Sequence, residues 1–466
     1  MSTQLTIDRR LHLEARPAKF FKKLEDNSVS CYLCPRHCTL KPEQNGFCQV
    51  RGNRNGELKT FNYGVSVQIT EELIETEAVL HYAPGSKILS LGNVGCMMNC
   101  SFCHNWKTSQ AKFVEKENIR FYSPEYVVET AIKKGIKVLS WTYNDPVVWH
   151  EFVYDTAVLA KKAGLINLYK SAFYIGPEAV SELLEVIDIF SLSLKSMDSD
   201  FYKKVTKGRL EPVLDAIKQI YNDGRRHLEI SNLVVTGMND NLTEIDKVIN
   251  WVKSELDDNV PIHFVRFHPD YKYTNVERTS ISFLKSARMR AKEQGLKNVY
   301  LGNVFESGEH LNTNCLHCGA LQVERFGISS KIVGIKDDGK CSQCNKQSLV
   351  KQPYLDKVQN VVQKDLKNLN KITHQWVGDI NSIHVSIINS TDSDSFFAAA
   401  KEVDSKDADY RLVLAKDESR FLISRKPGET YINLFMPMDL EVKVLGVLDR
   451  AHFPTETPVE SRLNLS

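Results

Sequence analysis

The sequence predicts an α/β chain built on a partial, TIM-like (β/α) barrel, with an N-terminal cysteine module, a second cysteine module and a small C-terminal α+β domain. Three observations carry this prediction. Between residues 85 and 310, short apolar runs alternate with amphipathic helical patterns, which implies a parallel sheet with crossover helices. The distinctive motifs of that stretch follow the C-terminal ends of several different strands, which favours a barrel over a flat doubly wound sheet. Finally, all 11 cysteines fall into three clusters, at 31–48, 96–103 and 315–344.

Residues 1–84 form the N-terminal cysteine-bearing segment. Within it, 31–60 reads as loop, punctuated by Pro35, Pro42, Gly46, Gly52 and Gly56. The barrel occupies 85–310. Its expected strands are 88–91, 138–142, 166–169, 187–194, 228–235, 262–267 and 299–302, and its expected helices are 124–134, 147–163, 212–222, 243–256 and 279–294. The clearest helix is 243–256, where Ile245, Val248, Ile249, Val252 and Leu256 mark one face and Thr243 could cap the start. Residues 311–352 form the second cysteine module. The C-terminal domain, 353–466, is expected to hold an amphipathic helix over 354–372, a helix over 395–403, and strands over 383–388, 410–415, 420–424, 431–435 and 440–447. It carries no motif with nameable chemistry, and its role is unassigned.

Composition sets the outer bounds. A chain of 466 residues can bury more than one core, and 42% hydrophobic with 25% charged residues is ordinary for a soluble globular protein. With 60 basic and 58 acidic residues the formal charge is +2, which argues against a nucleic-acid partner. The polar N-terminus lacks a signal-peptide core, and no run of about 18 apolar residues exists to span a membrane. The expectation is therefore a cytoplasmic protein with no membrane association, whose thiols stay reduced and available as metal ligands.

Each cysteine cluster has metal-ligand spacing. Cys96-x3-Cys100-x2-Cys103 follows a strand, on a loop where Gly92 and Gly95 allow tight turning. Three thiolates can grip three irons of a [4Fe–4S] cube and leave the fourth open, whereas electron-transfer clusters usually have four cysteines. Cys315-x2-Cys318-x22-Cys341-x2-Cys344 reads as a zinc ribbon, closed by four protein ligands and therefore structural. It lacks the dense basic surround expected of a nucleic-acid contact. Cys31-x2-Cys34-x3-Cys38-x9-Cys48 could hold zinc or an auxiliary [4Fe–4S] cluster, and His37 could replace one ligand. With every cysteine allocated, none is left for a methyl-carrying or radical-donating thiol.

The loop sequence Cys100-Ser-Phe-Cys-His-Asn105, in this spacing, resembles the radical S-adenosylmethionine (SAM) superfamily. The likeness extends from Cys31 to about Leu349. It takes in Cys31-Tyr-Leu-Cys34-Pro-Arg-His-Cys38, Gly46-Phe-Cys48-Gln-Val-Arg51, Thr142-Tyr-Asn-Asp-Pro146, Arg209-Leu-Glu-Pro212, Arg266-Phe-His-Pro-Asp270 and Gly302-Asn-Val304. On these motifs the chain resembles the pyruvate formate-lyase-activating-like branch, and most closely the radical SAM member of the AmmeMemoRadiSam system. The resemblance implies that SAM chelates the open iron and is cleaved reductively to a 5′-deoxyadenosyl radical, which abstracts hydrogen from a substrate the sequence does not identify. It implies that Phe102 lies near the adenine. Asn144, Asp145, Ser193, Lys195 and His268 are the further SAM-contact candidates. It also implies a reductant such as flavodoxin or ferredoxin, and it leaves room for a protein substrate or partner. For the Cys31–Cys48 module zinc is the first reading, since the family is not defined by a cluster there.

Two departures from the family pattern stand out. Activating-type relatives usually carry Asp-x-Lys at the fourth strand and a Thr-Asn-Gly-like turn at the third, where this chain has Ser193-Leu-Lys195 and Ser171-Ala-Phe173. They imply a changed substrate or a weakened SAM site. They also keep two other readings open: a glycyl-radical-enzyme activase, and a non-catalytic iron–sulfur/zinc adaptor.

Overall fold

The computed structural model describes residues 6–304, 309–355, 369–375, 380–391, 395–401, 409–413, 417–425, 429–438 and 440–449. A nine-stranded sheet organises its first part. The strands are β1 (Val65–Leu73), β2 (Lys87–Asn93), β3 (Arg120–Phe121), β4 (Val138–Thr142), β5 (Ile166–Ser171), β6 (Ile189–Ser193), β7 (His227–Val234), β8 (Ile262–Arg266) and β9 (Val299–Gly302). Their order is β9-β8-β7-β6-β5-β4-β2-β1-β3. The seven strands expected from the sequence are all present, each parallel to its neighbours in the series, while β1 and β3 add antiparallel strands at one edge. The parallel series never reverses direction. Right-handed crossovers then put the helices that follow β5, β6, β7 and β8 on one face, as in a barrel, and this series has no switch point of the doubly wound kind. The sheet keeps two edges, so the barrel is partial.

The crossover helices are α1 (Pro124–Lys133), α2 (His150–Lys162), α3 (Pro177–Val186), α4 (Glu211–Asp223), α5 (Leu242–Glu255) and α6 (Ile281–Glu293). The sequence reading has no helix at α3, whose apolar stripe of Ala179, Val180, Leu183 and Leu184 spans under two turns. Asn241, not Thr243, caps α5: its Oδ1 accepts from the Glu244 amide at 3.0 Å. α2 is entered through one 3₁₀ turn, Pro146–Trp149, with Pro146 at its first position.

One face of the sheet is polar. Register sets Ser90 beside Ser140, Lys170 beside Ser191, Ser191 beside Glu229, and Ser193 beside Ser231. The intervening positions (Leu91, Leu139, Trp141, Leu192 and Ile230) are apolar and buried, as strand alternation requires.

The chain falls into two units: Met1–Pro124, Val138–Ala157 and Ile166–Pro353 form one, and Glu125–Lys137, Val158–Leu165 and Tyr354–Ser466 the other. In the second unit, Asn370–Gln375, Tyr431–Met436, Ser395–Ala400 and Asp409–Val413 make a four-stranded sheet, and Asp417–Ser424, Ile380–Asn389 and Leu440–Asp449 a three-stranded one. Ile383, Val385 and Ile387 share a core with Ile432, Leu434 and Met436. The helix expected over 395–403 is instead the strand Ser395–Ala400: pairing on both sides overrides the helix propensity of three alanines. Of the helix expected over 354–372, residues 356–368 lie outside the described residues, and Asn370, Lys371 and Ile372 already belong to a strand.

Candidate active site

β2 ends at Asn93, and the loop after it carries Cys96, Cys100 and Cys103. Cys100 is buried and the other two are half-buried. The loop is held from outside, since the Asn99 and Ser101 amides donate to the Thr206 and Val205 carbonyls at 3.0 and 3.1 Å. Burial pushes the Cys96 thiol well above its ordinary pKa, with Asp145, Cys100 and Cys103 adding to the effect. Burial also pushes Cys100 up to about 11, with Lys195 opposing. Two buried thiols that resist ionising alone, with Cys103 on the same loop, suit a polynuclear metal centre, because coordination takes their protons and offsets the charge that burial disfavours.

The two loop glycines act by close approach. Gly95, at φ +94°, leaves only 3.0 Å between the position of a Cβ and the Cys48 carbonyl oxygen. Gly92 lies inside β2 rather than in a turn, and a Cβ there would come within 2.9 Å of the Tyr143 ring.

The end of β4 is fastened to the cysteine loop. Asn144 donates from Nδ2 to the Asn93 carbonyl and accepts at Oδ1 from Thr108 Oγ1 at 2.7 Å, which bridges the two flanks of the loop. The Tyr143 carbonyl accepts from Asn105 Nδ2, and its hydroxyl donates to Glu72 at 2.7 Å. Asp145 is buried and accepts from the Val147 amide (3.2 Å), Ser171 Oγ (2.8 Å) and the Ala172 amide (2.9 Å). Burial raises its carboxyl to about 6, against the pull of those bonds. The polar atoms of Asn144 and Asp145 thus serve mainly to hold the site together, and Ser171 belongs to the same arrangement.

At the end of β6, Ser193 Oγ lies 3.1 Å from Ser231 Oγ. Lys195 is half-buried, with Nζ 6.0 Å from the centre of the Phe102 ring, and its charge favours the ionised forms of Cys100 and Asp145. Phe102 is buried against Phe201 and Phe267, at centroid distances of 6.0 and 6.2 Å. His268 is exposed, with Nδ1 2.7 Å from the Pro269 carbonyl. Its motif reaches the cysteine loop through neighbouring residues instead. Asp270 accepts from Trp106 Nε1 at 3.1 Å, Tyr271 stacks on Trp106 at 5.1 Å, and the Lys272 amide donates to the Ser101 carbonyl.

The sequence reading missed four charged residues on the polar face. Lys170 donates to Ser191 Oγ at 3.0 Å and Ser231 Oγ at 3.1 Å, and burial brings its pKa down to about 8 against the attraction of Glu77. Glu77 is buried and accepts from Ser140 and Thr142, each at 2.8 Å. Glu72 accepts from Ser90 Oγ at 3.0 Å as well as from Tyr143. Glu229 accepts from the Leu80 and His81 amides and from His227 and His263, at 2.7–2.9 Å. Burial opposes its charge, and those bonds outweigh it, so its carboxyl stays well below the ordinary range. The available signal was polar residues two apart in otherwise apolar strands: Ser140 and Thr142, Ser191 and Ser193, Glu229 and Ser231.

Apart from this site, Cys315, Cys318, Cys341 and Cys344 place all four sulfurs within 4.8 Å of one another, with two pairs at 3.7 Å. A metal–sulfur distance of about 2.3 Å implies a tetrahedral edge of about 3.8 Å, so the four fit a single ion. No helix among the described residues is long and apolar enough to cross a membrane.

Residues 91–252 match the model of the Radical SAM superfamily. An uncharacterized protein of Methanocaldococcus jannaschii is 40% identical over 333 residues, 71% of this chain and 98% of that protein. A pyruvate formate-lyase-activating enzyme of Clostridium pasteurianum is 24% identical over 206 residues, 39% of this chain and 81% of the enzyme. Among solved structures, a domain of a pyruvate-formate lyase-activating enzyme from Bacteroides vulgatus superposes with a TM-score of 0.32 at 18% identity, covering 35% of this chain and 98% of that domain.

Proposed function

Because the chain is an enzyme belonging to the radical SAM superfamily, we propose that Cys96, Cys100 and Cys103 hold a [4Fe–4S] cluster with one iron open to SAM, and that the enzyme uses SAM to abstract hydrogen from its substrate. The observation that carries this reading is the convergence on the cysteine loop of the ends of β4 and β6, with Asn144 bridging the loop and Lys195 set beside Cys100 and Phe102.

When bound, the cluster supplies the one electron that splits SAM into methionine and a 5′-deoxyadenosyl radical. The protein's own part is binding and orientation. The Lys195 ammonium pairs with the SAM carboxylate, a charge-assisted contact in a half-buried setting. The Tyr143 carbonyl is an acceptor for the SAM amino group, and Phe102 provides an apolar edge for the adenine. Asn144 and Asp145 position these groups. On the polar face, Lys170 and its serines offer donors to a polar substrate, and the electron comes from a reduced flavodoxin or ferredoxin. The ribbon cysteines hold structural zinc.

The test is anaerobic reconstitution followed by dithionite and SAM. The expected result is 5′-deoxyadenosine above a Cys96→Ala control, and its absence ends the proposal. The name of the Clostridium relative supports a second reading, in which the hydrogen comes from a glycine of a partner protein. Ser193, in place of the acidic residue usual in activating enzymes, weighs against it. A glycyl-radical EPR signal on such a partner would decide for it.

A further inference from the structure

The four N-terminal cysteines surround a space that the sequence left open between zinc and a cluster. Cys31 and Cys38 face each other across an antiparallel strand pair, Val29–Cys31 with Cys38–Leu40. With Cys34 and Cys48 they line one cavity. Its remaining wall includes Leu33, Leu40, Phe47, Met97 and Val148.

The ribbon provides an internal standard for what a single-ion site looks like in this chain. Two of its sulfur pairs stand at 3.7 Å, close to the edge length of a tetrahedral zinc site. Among the described residues, which include all eight flanking cysteines, the ribbon sulfurs lie within 4.8 Å of one another and the N-terminal four do not. They stand around a cavity instead of collapsing onto a point. In a [4Fe–4S] cube each thiolate binds a different iron, so four sulfurs must stand farther apart than on one ion.

A second feature points into the same cavity. Arg51 lines it, and its side chain is 2% exposed. Its Nη atoms are occupied by Glu151 and the Lys19 carbonyl, yet its buried Nε has no hydrogen-bond partner. Burial opposes the guanidinium charge, while Glu151, Cys31 and Cys48 favour it. An N–H aimed at a cluster sulfur would satisfy that orphan donor, and such bonds tune cluster potential.

We propose that Cys31, Cys34, Cys38 and Cys48 hold a second, fully cysteine-ligated [4Fe–4S] cluster, with Arg51 donating from Nε to one of its sulfurs. The site adjoins the catalytic loop, where the Cys48 carbonyl meets Gly95 and Met97 lines the cavity. The proposal does not depend on SAM cleavage.

The experiment counts iron, sulfide and zinc per chain in full-length protein purified and reconstituted anaerobically. The Cys96→Ala/Cys100→Ala/Cys103→Ala variant should keep half the wild-type iron and sulfide and, on reduction, give an EPR signal that SAM does not alter. Iron at background with zinc for two sites overturns the proposal and leaves the catalytic-loop reading intact. The Cys34→Ala/Cys38→Ala variant should lose half the iron while keeping ribbon zinc as a sign of folding. Iron equal to wild type in that variant also overturns the proposal. Unaltered wild-type EPR on SAM addition would instead count against SAM binding, while the iron count still decides the second cluster.

Discussion

Arg51→Met should be among the most destabilising single substitutions in the N-terminal module. Arg51 Nη1 contacts both Glu151 carboxylate oxygens at 2.9 and 2.8 Å, and the two side chains are 2% and 8% exposed. Lys19 completes the pair: its amide donates to Glu151 at 2.8 Å and its carbonyl accepts from Arg51 at 2.6 Å. Methionine fills similar volume but leaves a buried carboxylate with one amide donor. Breaking one side of a buried pair costs about 3–5 kcal/mol. The double variant Arg51→Met/Glu151→Leu leaves no buried charge and orphans only the Lys19 groups, so its cost should fall to about 1–3 kcal/mol. Urea unfolding at constant m-value measures both, with iron and zinc assayed in each sample so that lost metal is not counted as a lost ion pair. The pH dependence gives a second check. In the wild type, burial raises the Glu151 pKa but Arg51 and its other partners win, so it lies below the ordinary value. Its stabilising contribution is present above the unfolded value and disappears as pH falls through the folded one. Without Arg51, burial dominates and raises the folded pKa, so the variant's deficit should shrink as pH falls toward 4.5. A single-variant cost under about 1 kcal/mol, additive costs, or a deficit that grows on acidification would refute this reasoning.

Three further outcomes follow from the same geometry. Lys195→Met should weaken SAM binding by about tenfold or more, since a charge-assisted hydrogen bond contributes about 1.5–3 kcal/mol, and calorimetry showing unchanged affinity would remove Lys195 from the site. Cys341→Ser should release the ribbon's metal and lower the melting temperature while the catalytic-loop iron stays bound, as read by metal analysis and thermal scans. For Asp145, burial raises the folded pKa from 3.8 to about 6, so the stability present below 3.8 is lost as pH rises through 6, by about 3 kcal/mol. Asp145→Asn does not titrate and should therefore gain on the wild type over that range, and parallel pH–stability curves would refute the assignment.

Much of the barrel was legible because its strands are short apolar runs separated by helices of clear period, and these positions hold in β2 and β4–β9. α3 was missed although α1, of the same length and also beginning with proline, was read, and although Ala179, Val180, Leu183 and Leu184 keep helical spacing. Ser395–Ala400 misled the reading because local propensity favours a helix and only its partners, distant in sequence, make it a strand. The cysteine clusters stood out by spacing alone. Spacing cannot distinguish four thiols gathered at one point from four set around a cavity, which is where the ribbon and the N-terminal module differ in space. Lys170 and Glu229 were hidden for a related reason. A charged residue in a strand is ordinary in sequence, and only register brings Lys170 to Ser191 and Ser231.

The serine at position 193 makes sense within that register. Ser193 sits beside Ser231, Ser231 also accepts from Lys170, and Lys195, two residues beyond Ser193, is close enough to act on the charge of Lys170. A carboxylate at 193 would be drawn to either ammonium, and a buried or half-buried ion pair would hold that lysine in place. With serine there, no carboxylate among the described residues pairs with Lys195, while Glu77 partly offsets the burial cost at Lys170. The substitution thus leaves one cation available at the cysteine loop for an anionic group of SAM and a second, with a pKa near 8, deeper on the polar face. On this argument Ser193→Asp should weaken SAM binding, as Lys195→Met does, by neutralising the same cation. A Ser193→Asp variant that binds SAM more tightly than wild type would show that the acidic residue usual at this strand is missed rather than replaced.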